Sequence, residues 1–110
     1  DDDISAVLAA FFIEQEERKI TKIRMAFGGM AAIPKRAPVT EAILLGNSLS
    51  RESVARAKEA LETDFQPITD VRASDQYRMR VAQNLIEKCQ IELQSTNTKD
   101  AIETRVVNYA

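Results

Sequence analysis

The ten residues Ile4-Ser5-Ala6-Val7-Leu8-Ala9-Ala10-Phe11-Phe12-Ile13 decide the fold. They are apolar in both phases of a two-residue period, carry β-branched and aromatic side chains and contain neither glycine nor proline. That pattern predicts a strand covered on two faces. Glu14 to Lys19 is a charged stretch of the length that joins hairpin strands, and Ile20 to Phe27 alternates after it. Thr21, Ile23, Met25 and Phe27 fall on one side, Lys22 and Arg24 on the other. A hairpin with one solvated face alternates in both strands. Here only the second does, so something is expected to cover part of the other face of the first.

Working outward, Gly28-Gly29 interrupts the second strand and reads as a bulge or bend that needs positive φ rather than as a close approach to a cofactor. It is no phosphate loop, because the G-x-G-x-x-G spacing is absent. Met30 to Pro34 then leads to a short edge strand near Lys35-Arg36-Ala37, closed by Pro38. Thr40 is read as the cap of a short helix, Glu41 to Leu45, ended by Gly46 in a left-handed conformation. Ser50 caps a second helix through about Asp64, with Val54, Ala57, Leu61 and Phe65 inward and Arg51, Lys58, Glu59 and Glu62 in solvent. Ser74 opens a third helix in which Tyr77, Val81, Leu85, Cys89 and Leu93 recur every four residues. From Gln94 the sequence turns polar, ending in a small apolar cluster at Val106, Val107 and Tyr109, and a mobile C-terminal tail over 94–110, able to order against a partner, is expected. The sum is an α+β domain over residues 1–93, with an antiparallel sheet of three strands, or four, and about three helices on one face.

Composition narrows the chemistry. The chain has 110 residues, 45% apolar and 29% charged, which suits one folded domain rather than a disordered segment. A net charge of -2 with interspersed signs excludes the positive field that nucleic-acid binding needs. The apolar run from Ile4 to Ile13 is about half of what a helix needs to cross a bilayer, so no membrane partner and a cytoplasmic protein are expected. One cysteine and no histidine remove disulfide frameworks, zinc sites and histidine-based acid-base chemistry. Asp1 opens an acidic run that leads straight into an apolar strand, so a piece of a longer protein is expected.

Four pieces in order carry a resemblance: Asp2-Asp3-Ile4-Ser5-Ala6-Val7, Ala26-Phe27-Gly28-Gly29-Met30-Ala31, Pro34-Lys35-Arg36-Ala37, and Asp70-Val71-Arg72-Ala73-Ser74 leading into Tyr77-Arg78. Together they resemble the C-terminal domain of the flavoprotein subunit of xanthine dehydrogenases and carbon monoxide dehydrogenases. The resemblance implies a domain that follows a larger FAD-binding domain, in an oxidoreductase that also holds molybdopterin and [2Fe-2S] clusters. Its partners would be that upstream FAD-binding domain and the molybdopterin subunit. FAD would be bound mainly upstream, with no cofactor expected in this stretch by itself. The Asp-Asp-Ile-Ser-Ala-Val and Phe-Gly-Gly-Met-Ala segments lie nearest the xanthine branch, which implies purine hydroxylation with NAD as acceptor. Relatives acting on carbon monoxide, aldehydes or N-heterocycles share the domain. The competing reading is a non-catalytic interaction domain that dimerises, or binds another protein, through its doubly apolar strand.

By the resemblance, Asp2, Asp3 and Ile4 end a loop at the rim of the flavin site, where their charge would tune the flavin. The other reading is a solvated strand start, and the two stand about even. No catalytic or metal-binding residue is assigned. Asp70, Arg72 and Arg78 are read as pinning the entry to the third helix by charge-assisted hydrogen bonds, in preference to binding an anion. Cys89, on an apolar stripe, gets no redox role. Lys35 and Arg36 either touch a partner subunit or guard an edge strand. Self-association of the isolated chain through its first strand is also expected.

Overall fold

The computed structural model describes residues 7–66, 73–96 and 102–108. Strands β1 (Val7–Glu16) and β2 (Lys19–Gly28) form an antiparallel hairpin. The ladder runs further than the charged connection suggested. Glu14 pairs with Lys22, Gln15 with Ile20 and Glu16 with Lys19, leaving only Glu17 and Arg18 to turn the chain. Both are left-handed, at φ 50° and 68°. A two-residue hairpin needs that hand because its twist then matches the strands.

The register slips between Glu14 and Gln15, opposite Thr21. This corrects the expected face of Thr21. The extra residue turns it out to solvent, where its hydroxyl donates to the Glu14 carbonyl at 3.1 Å. Beyond the slip the alternation holds, and Ile23, Met25 and Phe27 are buried together with Val7, Ala9, Phe11 and Ile13.

Strand β3 (Lys35–Arg36) pairs with β2 as expected, after a bend in which Gly29 takes φ 89°. Strand β4 (Ile102–Asn108) pairs with β1 from Val7 opposite Asn108 to Ile13 opposite Ile102. This corrects the expectation of a mobile tail. Ile102, Thr104 and Val106 alternate with Glu103 and Arg105, a strand-like period within a polar composition, and the segment closes an edge of β1 that would otherwise lie unpaired. The sheet therefore has four strands in the order β3-β2-β1-β4.

Helices α1 (Pro38–Leu44), α2 (Arg51–Asp64) and α3 (Ala73–Thr96) lie on one side of the sheet. Helix α1 starts earlier than Thr40 would have it, with a proline in its first turn, and Ala37 at the N-cap offers no side-chain bond. The carboxylate of Asp64 takes that role from the far end of α2. Gly46, at φ 84°, turns the chain after α1 as expected. Its N–H donates to the Ile20 carbonyl at 2.8 Å, and the Ile20 N–H donates to Asn47 at 2.9 Å, so the loop is laced to the start of β2. Ser50 caps α2 in a reciprocal box with Ser53: its hydroxyl accepts from the Ser53 N–H at 3.2 Å while the Ser53 hydroxyl accepts from the Ser50 N–H at 2.8 Å.

The expected stripes of α2 and α3 are inward, with Val54, Ala57, Leu61, Phe65, Val81, Leu85, Cys89 and Leu93 all buried. Tyr77 departs from its stripe and is 41% exposed. Phe11 and Phe27 meet edge-on with ring centroids 5.5 Å apart, and Phe27 meets Phe65 likewise at 5.7 Å, so one aromatic chain ties both strands of the hairpin to α2.

Candidate interface on the outer face of the sheet

The side of the sheet turned away from the helices has the most to offer a partner. Here Phe12 stands opposite Arg24, Ala10 opposite Ala26 and Leu8 opposite Gly28. Leu8 is 46% exposed and Ala10 open to solvent, while the Arg24 guanidinium lies over the Phe12 ring at 4.6 Å from its centroid. The second face of β1, expected to be covered, is open in the structure: small and apolar groups lie on its surface, partly screened by one cation.

This face continues into an open groove of about 510 Å³ between β2 and α1, lined by Phe12, Lys22 and Arg24 from the sheet and by Pro38, Ala42 and Leu45 across from it. Glu41 builds the groove wall. Strand β3 is too short to pair with all of β2, and the Glu41 carboxylate closes the gap by accepting from the Met25 N–H at 2.8 Å. The same carboxylate holds Arg36 in a fork, Nε at 3.0 Å and Nη2 at 2.7 Å. Hydrogen bonding to Glu41, reinforced by its charge, raises the Arg36 pKa. Arg36 is thereby engaged as an architectural clamp, while Lys35 lies over the Phe65 ring at 5.1 Å.

The described residues include one cysteine and no histidine. No group of three or more His, Cys, Asp or Glu side chains that could hold a metal is found among them. Cys89 is buried, and desolvation, followed by the nearby Glu92 charge, pushes its thiol up to about 12, leaving it protonated and inert at neutral pH. Asp2, Asp3 and Ile4 lie outside the described residues, as do Asp70 and Arg72. Of the helix-entry group, Arg78 stands 3.8 Å from Asp75. No helix among the described residues is long and apolar enough to cross a membrane. The groove itself was missed at the sequence level, because it depends on the bulge at Thr21 and on cross-strand neighbours; the one available signal was Lys22 and Arg24 sharing a face.

A four-stranded antiparallel sheet backed by three helices, with an open outer face, defines the chain as an α+β domain. Its sequence matches the CO dehydrogenase flavoprotein C-terminal domain over residues 1–93, and the chain belongs to that family. It is 30% identical over 90 residues to the nicotine 6-hydroxylase medium subunit of Paenarthrobacter nicotinovorans, a match that covers 82% of this chain and 32% of that subunit. The chain thus spans about a third of the length of this relative. Its fold is similar to that of quinoline 2-oxidoreductase from Pseudomonas putida 86, with a TM-score of 0.62 and 17% identity over 77% of this chain and 30% of the other. It is likewise similar to the carbon monoxide dehydrogenase of Hydrogenophaga pseudoflava, with a TM-score of 0.61 and 24% identity over 74% of this chain and 29% of that one. At these identities the solved structures speak for the fold alone.

Proposed function

We propose that this chain is the C-terminal domain of the flavoprotein subunit of a molybdenum-iron-sulfur-flavin hydroxylase. The whole enzyme, in this reading, hydroxylates an aromatic N-heterocycle and passes the electrons through FAD to NAD. The family match over residues 1–93 carries the proposal. The purine xanthine is the first substrate reading, on the likeness of Asp2-Asp3-Ile4-Ser5-Ala6-Val7 and Phe27-Gly28-Gly29-Met30-Ala31 to the xanthine dehydrogenase branch. A pyridine-type ring is the second, favoured by the 30% identity to a nicotine 6-hydroxylase subunit.

The described residues do not fit FAD on their own, since Gly28-Gly29 runs into a bend rather than a helix N-terminus and the outer groove is open. The flavin is therefore assigned to the upstream domain, with Asp2, Asp3 and Ile4 at its rim, and supplies electron transfer between the iron-sulfur centres and the acceptor. The work of this chain is positional. Its hairpin offers a stiff wall, its outer face excludes water where another domain packs, and the carboxylates of Asp2 and Asp3 place negative charge beside the flavin. The molybdopterin subunit is its further partner.

The test is to purify the protein with the subunits encoded beside it, measure flavin, molybdenum and iron, and assay xanthine, nicotine and carbon monoxide. The reading expects all three cofactors, turnover of an N-heterocycle and none of carbon monoxide. An assembly lacking both molybdenum and flavin would overturn it.

A further inference from the structure

We propose that the groove between the outer face of β2 and helix α1 is a docking site for an acidic, apolar-anchored stretch of another polypeptide. Its floor is apolar, with Phe12 and Ala42, and Leu45 stands 50% exposed at its edge. Its rim carries two cations, Lys22 and Arg24, beside the Arg36–Glu41 pair, whose charges offset each other. That carboxylate is already committed, one oxygen to the Arg36 Nη2 and the other to the Met25 N–H and the Arg36 Nε.

The local excess of positive charge is not a property of the chain, whose net charge is -2. Arg24 has no acidic partner among the described residues and lies over the Phe12 ring, 4.6 Å from its centroid. A guanidinium fixed on a ring presents its donor edge with little rotamer freedom left to lose, which suits bidentate capture of a carboxylate. Lys22 is 71% exposed and touches Glu14 only at 4.0 Å, so it too is available. The volume lies within the roughly 300–1,000 Å³ of ligand-binding clefts. A second copy of this chain is disfavoured as the occupant, because two-fold packing would set Lys22 and Arg24 against their own equivalents. A nucleic acid finds no sustained basic stripe beyond these two. Apolar anchors for the floor and carboxylates for the rim describe a polypeptide segment.

The docking site stands without the flavin assignment, and its test uses the 110-residue chain alone. A fluorescein-labelled peptide alternating glutamates with leucine and phenylalanine is titrated into the chain and followed by anisotropy, beside a counterpart with lysine in place of glutamate. The acidic peptide is expected to bind saturably, to weaken with added salt, to shift the amide resonances of Lys22, Arg24 and Ala42, and to lose about tenfold in affinity in Arg24→Glu and in Leu45→Asp. Lys22→Glu, at a more exposed position, gives the same reading should either of those variants fold poorly. Equal binding of the lysine peptide, no saturable binding of the acidic one, or unchanged affinity in a folded Arg24→Glu or Lys22→Glu overturns the proposal.

Discussion

Asp64 caps a helix that begins 26 residues before it in sequence terms and lies beside it in space: its Oδ2 accepts from the Thr40 N–H at 2.8 Å and from the Thr40 hydroxyl at 2.7 Å, while Oδ1 accepts from the Val39 N–H at 2.9 Å. Asp64 and Thr40 are both buried, so of the three donors at the start of α1 that meet this carboxylate, the two on Thr40 are shielded from replacement by water. Asp64→Ala is therefore expected to cost about 2–3 kcal/mol, seen as a fall of roughly 10 °C in the melting temperature. Exposed Glu59→Ala, on the same helix, should stay within about 0.5 kcal/mol. Equal melting curves for the two variants would remove Asp64 from this role.

The hairpin turn offers the opposite experiment. Glu17 and Arg18 hold φ 50° and 68°, a region that non-glycine residues enter at a cost of about 1 kcal/mol each. Replacing the pair by Asn-Gly, through Glu17→Asn with Arg18→Gly, keeps the turn and removes most of that cost. A stabilisation of about 1 kcal/mol in urea unfolding, with unchanged slope, is the expected result.

Cys89 gives a pH dependence. Its thiol is held up at about 12 in the fold against 9.0 for the free group, chiefly by burial. Because the folded pKa is raised, the contribution is fully present below pH 9.0 and is lost as pH climbs from there toward about 12. Cys89→Ala should flatten the loss of stability across that window. The native thiol should resist alkylation at neutral pH and react once the chain is unfolded. Rapid modification of the folded chain would show the site to be open.

Strand β4 protects an edge. Truncation after Thr96 removes the partner of β1 from Val7 to Ile13. Faster hydrogen exchange of β1 amides and a greater tendency to aggregate should follow. Unchanged exchange rates in the truncated chain would mean that β4 contributes nothing to that edge.

These relationships set the boundary of what could be read from the sequence. Local signals held: the doubly apolar run of β1, the Ser50 cap, the left-handed Gly46 and the stripes of α2 and α3 are each written within a few neighbouring residues. What escaped depends on distant partners. Thr40 looks like a cap from its neighbours, and only the return of α2 brings Asp64 to it. Thr21 follows the alternation of β2 until the bulge opposite Gln15 turns it outward. Ile102 to Asn108 alternates, but its polar composition outweighed the pattern until an unpaired edge of β1 was there to receive it. The apolar character of the outer face was legible from Leu8, Ala10 and Phe12, whereas its openness and the groove beside it were not.

The proposed role, a wall of a flavoprotein whose flavin is held by another domain, is tested by flavin retention. The 110-residue chain and the longer polypeptide that includes the upstream domain are each incubated with FAD and passed through gel filtration. The account predicts flavin absorbance with the longer protein, close to one per chain, and none with the 110-residue chain. Flavin eluting with the short chain in near-stoichiometric amount would contradict it.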